Sequence, residues 1–169
     1  MTPASVTTAG IICPGFGAVS DEPPDEAALA TRLRRDDLTL KLREDPAYVK
    51  VGRDHTAAVM SAWGLSTIIP DATLVASELV TNALRHAVSG TTGGPVLLRL
   101  VRRGQDAMCL VADGSDRPPE LVEPDFVAET GRGLHLVAAN SRRWHWARRR
   151  HRPGKWVWAL LPLPGDARR

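Results

Sequence analysis

Apolar and polar positions follow two rhythms along this chain, and the places where the rhythm changes mark its elements. From Asp37 onward, Leu38, Leu40 and Leu42 fall at every second position, which predicts a strand. Pro46 then opens a helix that runs to about Trp63, where Gly64 stops it. Asp71, placed after Pro70, is an N-terminal signal for a second helix, DATLVASELVTNALRHA, which the SGTTGG cluster ends after Val88. Two strands come next, PVLLRLVRR and AMCLVAD, joined by Gly104-Gln105-Asp106 as a hairpin. The stretch from Gly114 to Thr130 carries Pro118, Pro119 and Pro124, so it is not one regular element, and it is long enough to be a lid. A third helix starts near Gly133 and ends at about Ser141. Trp144 and Trp146, then Trp156 and Trp158, sit at strand spacing on either side of a basic run and Pro153-Gly154, which reads as a second hairpin.

The order is strand, helix, helix, two strands, lid, helix, two strands. It predicts an α+β fold with a mainly antiparallel sheet and helices on one face. Residues 1–36, with DEPPDEAALA and no sustained apolar period, read as a flexible N-terminal tail with a short helix around Asp25 to Arg35. Residues 37–164 form the expected folded domain, and 165–169 a short C-terminal tail. There is no internal repeat.

Composition narrows this picture only at its edges. With 169 residues and 43% apolar content, the chain fits one globular domain with a full core. The formal charge is +3 and the pI about 9.3, and much of the excess lies in Arg148-Arg149-Arg150-His151-Arg152, so the basicity is local. Cys13 and Cys109 are the two cysteines, one in the tail and one in a predicted buried strand. That placement argues against a disulfide framework or a cysteine metal site and suits a reducing cytoplasm. No apolar run reaches the roughly 20 residues a membrane span needs, and the N-terminus lacks the order of a signal peptide, so no membrane association is expected.

The candidate chemistry concentrates in three short segments. At about 100° per residue, Glu78 and Asn82 stack on one face of the second helix, with Asp71 and His86 near them, beside an apolar arc of Val75, Leu79, Val80, Ala83 and Ala87. An Asn amide oxygen is an adequate protein ligand for magnesium, which keeps most of its waters and takes phosphate oxygens. A nearby carboxylate can hold a water or accept a hydroxyl proton. Taken alone, the pair is equally compatible with solvated positions on an amphipathic helix. The second segment, Val111-Ala112-Asp113-Gly114, puts an acceptor at the end of a strand, where a base with an exocyclic amino group, such as adenine, can donate to it. Asp-Gly is also a common turn dipeptide. The third, Thr130-Gly131-Arg132-Gly133-Leu134, places glycines just before a helix, where backbone N–H groups can approach phosphate and Arg132 can add charge.

The order and spacing of the three segments resemble the GHKL superfamily of ATP-binding domains, over roughly Leu38 to Leu163. The similarity is closest to the anti-sigma-factor serine/threonine kinases and their actinobacterial regulatory relatives. SELVTNALRHA resembles that family's N-box, Asp113-Gly114 its adenine-reading segment, GRGLHLV its second glycine box and GKWVWALL its closing strand. The resemblance implies a two-layer α/β sandwich that binds ATP and Mg2+. Asn82 would be the magnesium ligand, Glu78 the catalytic base, and Asp113 the group that binds the adenine amino group. Gly114, Gly131, Arg132, Gly133 and Leu134 would line the nucleotide site, with Arg85 and His86 within reach of phosphate. Two positions depart from the pattern. Asp116 stands where the fuller motif has a second glycine, although Gly114-Ser115-Asp116-Arg117-Pro118-Pro119 resembles a Pro-containing version in the actinobacterial relatives. Lys155 falls where other branches have a small hydroxyl residue, and no catalytic role is expected of it.

The resemblance implies an ATP-binding regulatory protein, an anti-sigma factor whose serine-kinase activity acts on an anti-anti-sigma (STAS-type) antagonist. A sigma factor and that antagonist are the implied partners, and a homodimer is a further expectation because such relatives commonly pair. The alternative is a non-catalytic binding module that sequesters a partner, with nucleotide absent or structural; Asp116 motivates it. A histidine kinase would bring a dimerising helix pair with a phosphoacceptor, which the segment before Asp37 is too short to supply, and nothing around His55 marks it as an acceptor. The tryptophan strands with the Arg148 to Arg152 run are a third option, a single-strand nucleic-acid surface. Period-2 tryptophans more often brace a sheet and charged hairpin tips are usually solvated, so direct nucleic-acid binding is not expected.

Overall fold

The computed structural model describes residues 38–42, 45–87, 95–103, 106–120, 132–149 and 152–163. The N-terminal and C-terminal tails, most of the proposed lid, the SGTTGG turn and Gly131 therefore lie outside the described residues. Strand β1 is Leu38–Leu42, helix α1 Ala47–Ala62, helix α2 Ile69–Ala87, strand β2 Val96–Arg103 and strand β3 Asp106–Asp113. Helix α3 is Gly133–Ala139, and strands β4 and β5 are Arg143–Arg148 and Lys155–Leu161. Among the described residues, the five strands form one sheet in the order β1-β2-β3-β5-β4, with every neighbouring pair antiparallel.

Helix α1 begins where Asp45 Oδ1 accepts the Ala47 N–H at 2.8 Å, just before the first turn. It ends at Trp63, whose N–H reaches back to the Val59 carbonyl, and the chain reverses at Gly64. Helix α2 starts at Ile69, two positions ahead of Asp71, directly out of a short 3-10 turn over Ser66–Ile68. Pro70 lacks an N–H and its fixed φ suits a first helical turn, so it opens the helix and Asp71 falls inside that turn.

Alternation divides the sheet into two faces. One carries Val96, Leu98, Leu100, Cys109, Val111, Val157, Ala159 and Leu161 against Val59, Met60, Val75, Leu79, Val80 and Ala83 of the helices. The other carries Val101, Met108, Leu110 and Trp158, with Trp156 and Leu160 beside them. The two tryptophan pairs separate accordingly: Trp144 and Trp146 pack against the helical core, whereas Trp156 and Trp158 belong to the opposite face. His145 meets Trp158 edge-on at 6.2 Å, and the Arg149 guanidinium lies 5.5 Å over the Trp156 ring. Here the tryptophans brace both faces of β4 and β5 and do not share one stacking platform.

Candidate functional site

Helix α2 buries Val75, Ala76, Leu79, Val80 and Ala83, so its angular spacing leaves Glu78 and Asn82 at the half-buried edge of that apolar stripe. Helix α3 packs against α2 and brings the glycine segment to this edge. A β-carbon on Gly133 would sit 2.6 Å from Glu78 Oε2, inside van der Waals contact. Glycine therefore lets the start of α3 close onto the carboxylate, joining two motifs that are distant in the chain. Arg132 is exposed immediately before α3. The Leu134 side chain is buried in the core, so what it offers at this edge is the backbone N–H of a first helical turn. Arg85 is exposed near the end of α2.

The second half of the site is built on neighbouring strands. Asp113 ends β3, Lys155 begins β5, and the two residues are register partners. The Lys155 ammonium donates to Asp113 Oδ1 at 2.9 Å, and more distantly to the Ser115 carbonyl at 3.4 Å. The Ser115 N–H donates to the same Oδ1 at 2.8 Å, folding Asp113-Gly114-Ser115 into an Asx turn. Relative exposure is 1% for Asp113 and 0% for Lys155, so this is a fully buried ion pair. Asp113 Oδ2 is buried and has no hydrogen-bond partner among the described residues.

Gly154 fixes how closely the β4–β5 turn approaches this pair. Its φ is +106°, and a β-carbon there would lie 1.9 Å from the Asp113 carbonyl oxygen. The Gly154 N–H donates to Asp116 Oδ1 at 2.9 Å. Asp116, the residue that replaces a motif glycine, thus ties the segment after β3 to the β4–β5 turn. Burial pushes the His86 imidazole below its ordinary value of 6.5; Lys155 and Arg117 push the same way, while Asp113 and Glu120 oppose. His86 is therefore within electrostatic range of the Asp113–Lys155 pair, with its neutral form favoured. Burial also pushes the Cys109 thiol up to about 12, which leaves it an inert core residue.

Residues 42–160 match the model of the histidine kinase-like ATPase domain. The chain belongs to that family. The antiparallel sheet with helices on one face is accordingly a GHKL-type α+β fold. Comparison with curated proteins gives no match.

Membership in the histidine kinase-like ATPase family implies an adenine nucleotide, usually with Mg2+, and the residues present fit one. Asp113 Oδ2 is a buried acceptor still to be satisfied, as an exocyclic amino group would do. Glu78 and Gly133 meet where α2 and α3 converge, and Asn82 lies one turn further along α2. Among the described residues no group of three or more His, Cys, Asp or Glu is placed to hold a metal. A magnesium ion would then rely on phosphate oxygens and water, with Asn82 as the protein ligand. Among the described residues no helix is long and apolar enough to cross a membrane.

Of the expected residues, Glu78 and Gly133 come together, and Asp113, Gly114 and His86 gather at the other end. Gly131 lies outside the described residues. Lys155, Ser115, Gly154 and Asp116 lie in the motifs compared above, and the sequence assigns none of them a role in the site. One signal for Lys155 was present in the sequence. It shares the alternation phase of Val157, Ala159 and Leu161, which places a lysine at a core-facing position.

Proposed function

We propose that this chain binds ATP with magnesium and works as an anti-sigma factor that phosphorylates a serine of an anti-anti-sigma antagonist. The observation that carries the reading is the meeting of Glu78 with Gly133, one helical turn from Asn82, in a family whose domains are ATPases. Bound Mg-ATP supplies the γ-phosphoryl group. Asp113 would accept a hydrogen bond from the amino group of the base, and Asn82 would hold the magnesium ion, which would offset the charge of the phosphates. Glu78 takes the proton of the serine hydroxyl as its oxygen bonds to the γ-phosphorus and the bond to the ADP oxygen breaks. The glycine at 133 leaves the Glu78 carboxylate the space it occupies against the start of α3. Phosphorylating the antagonist would release it and leave the chain free to hold the sigma factor.

A second reading has its own observation. The ion pair to Lys155 occupies one oxygen of Asp113, and Asp116 replaces a motif glycine, as in a binding module that sequesters its partner without transferring phosphate. Transfer of labelled phosphate from ATP to a serine-bearing antagonist separates the two. The kinase reading requires transfer by the wild type that Glu78→Ala reduces by at least about a hundredfold. Equally poor transfer by both proteins, or none by either, leaves the sequestering module, whereas full transfer by both removes Glu78 as the base.

A further inference from the structure

We propose that Lys155 is a specificity-determining residue of the base site, reading the ring nitrogen of adenine next to the amino group that Asp113 reads. This rests on the nucleotide-binding reading of the site and assigns it a second contact. The reason lies in what the buried pair leaves unused. Asp113 Oδ1 is taken by the Ser115 N–H and the Lys155 ammonium, while Oδ2 is buried without a partner among the described residues. Lys155 has three N–H groups, of which one is spent on Oδ1 and one on the long contact to the Ser115 carbonyl. The pair therefore holds one free acceptor and one free donor on adjoining side chains.

A pair that served only to brace β3 against β5 would have no use for the orphaned oxygen, and buried polar atoms are seldom left unsatisfied. The edge of adenine offers the matching order, the N6 amino donor beside the N1 acceptor. Guanine offers one acceptor and two donors on the same edge. With a single oxygen left on Asp113, one guanine donor would stay buried and unpaired, which is costly. The lysine thus favours adenine over guanine twice, once through N1 and once by occupying Oδ1. Both groups lie under cover in this structure, so seating a base requires that cover to open.

The test is calorimetric titration of ATP, 1-deaza-ATP, purine riboside triphosphate and GTP, each with magnesium, into the wild type and into Lys155→Thr. Loss of one hydrogen bond to a charged group predicts that 1-deaza-ATP binds the wild type about 10- to 100-fold more weakly than ATP. Purine riboside triphosphate, which lacks the amino group, should be weakened similarly, and the 1-deaza penalty should vanish in Lys155→Thr. Equal binding of ATP and 1-deaza-ATP by the wild type overturns the role of Lys155 and leaves the nucleotide site standing. Binding of ATP by Lys155→Thr alone also overturns it, because the lysine then fills the place of the base. If neither protein binds any of the four nucleotides, the nucleotide reading of the site fails and the proposal fails with it. The comparison of analogues on the wild type does not depend on how well the variant folds.

Discussion

The two ends of the candidate site are made of different material. At the Asp113 end the groups are fully buried, an ion pair joins neighbouring strands, and Gly154 sits against backbone that has nowhere to move. At the Glu78 end the groups are half-buried on helices, and among the described residues the only obstacle near Gly133 is the tip of a flexible side chain. The first end is part of what holds the sheet together. The second lies at the half-buried edge of the helical core, where substitutions should disturb the fold less. Substitutions should therefore separate stability from function according to which end they strike.

The largest effect is expected at the ion pair. Asp113→Asn leaves a buried ammonium without its counter-charge, which should cost about 3–5 kcal/mol of unfolding free energy in a denaturant titration. The double change Asp113→Asn with Lys155→Met should recover much of that loss, since buried pairs can be replaced by packed neutral groups at little cost. A pair that contributed only as a surface bridge would lose about 1 kcal/mol or less on the single change, and the contrast between the two ends would collapse.

Two glycine substitutions compare the ends directly. Gly154→Ala forces a β-carbon into the Asp113 carbonyl at a φ of +106°, and should cost about 2–4 kcal/mol. Gly133→Ala meets only Glu78 Oε2 and gains helix propensity, so its stability change should stay within about 1 kcal/mol. The same change should displace the Glu78 carboxylate and impair phosphate transfer. Thermal unfolding of both variants checks the prediction, and equal destabilisation would refute it.

The smallest expected effect is a pH dependence. Burial lowers His55, and burial with Lys155 and Arg117 lowers His86 against the opposing pull of Asp113 and Glu120. Between the lowered folded values and the ordinary 6.5, the unfolded chain binds more protons than the folded one. Stability should be complete above pH 6.5 and fall as the pH drops through that window. His86→Gln should flatten part of the slope and leave the share due to His55. An unchanged slope in that variant would remove His86 from the electrostatic surroundings of the Asp113 end.

What the sequence made legible follows the same division. The Glu78 end was readable because its information is local: Glu78 and Asn82 share a face through helical spacing, and Gly133 announces the start of α3. Strands β1, β4 and β5 were readable from leucines or tryptophans at every second position, and β2 and β3 from short apolar runs separated by turn residues. The Asp113 end was only half readable. Asp113-Gly114 could be located, but its bond to Lys155 spans 42 positions, and strand periodicity does not say which strands become neighbours. The order β1-β2-β3-β5-β4 inserts β5 beside β3, and that topology alone makes Lys155 the partner of Asp113. Asp116 was visible as a lost glycine and not as an acceptor for Gly154, because the compensating contact is again long-range. The start of α2 was placed late because Asp71 looked like a cap, whereas the 3-10 turn over Ser66–Ile68 already carries the chain into the helix.

On the proposed reading these two ends form one nucleotide site, with the base at Asp113 and the phosphates beside Glu78 and Asn82. Its most direct test is calorimetric titration of ATP, ADP and GTP with magnesium into the wild type and Asn82→Ala. Adenine-selective binding by the wild type is expected, weakened in Asn82→Ala while the variant's unfolding free energy stays within about 0.5 kcal/mol of wild type. No binding of any nucleotide to the folded wild type at millimolar concentration would contradict it, and the chain would then act through protein contacts alone.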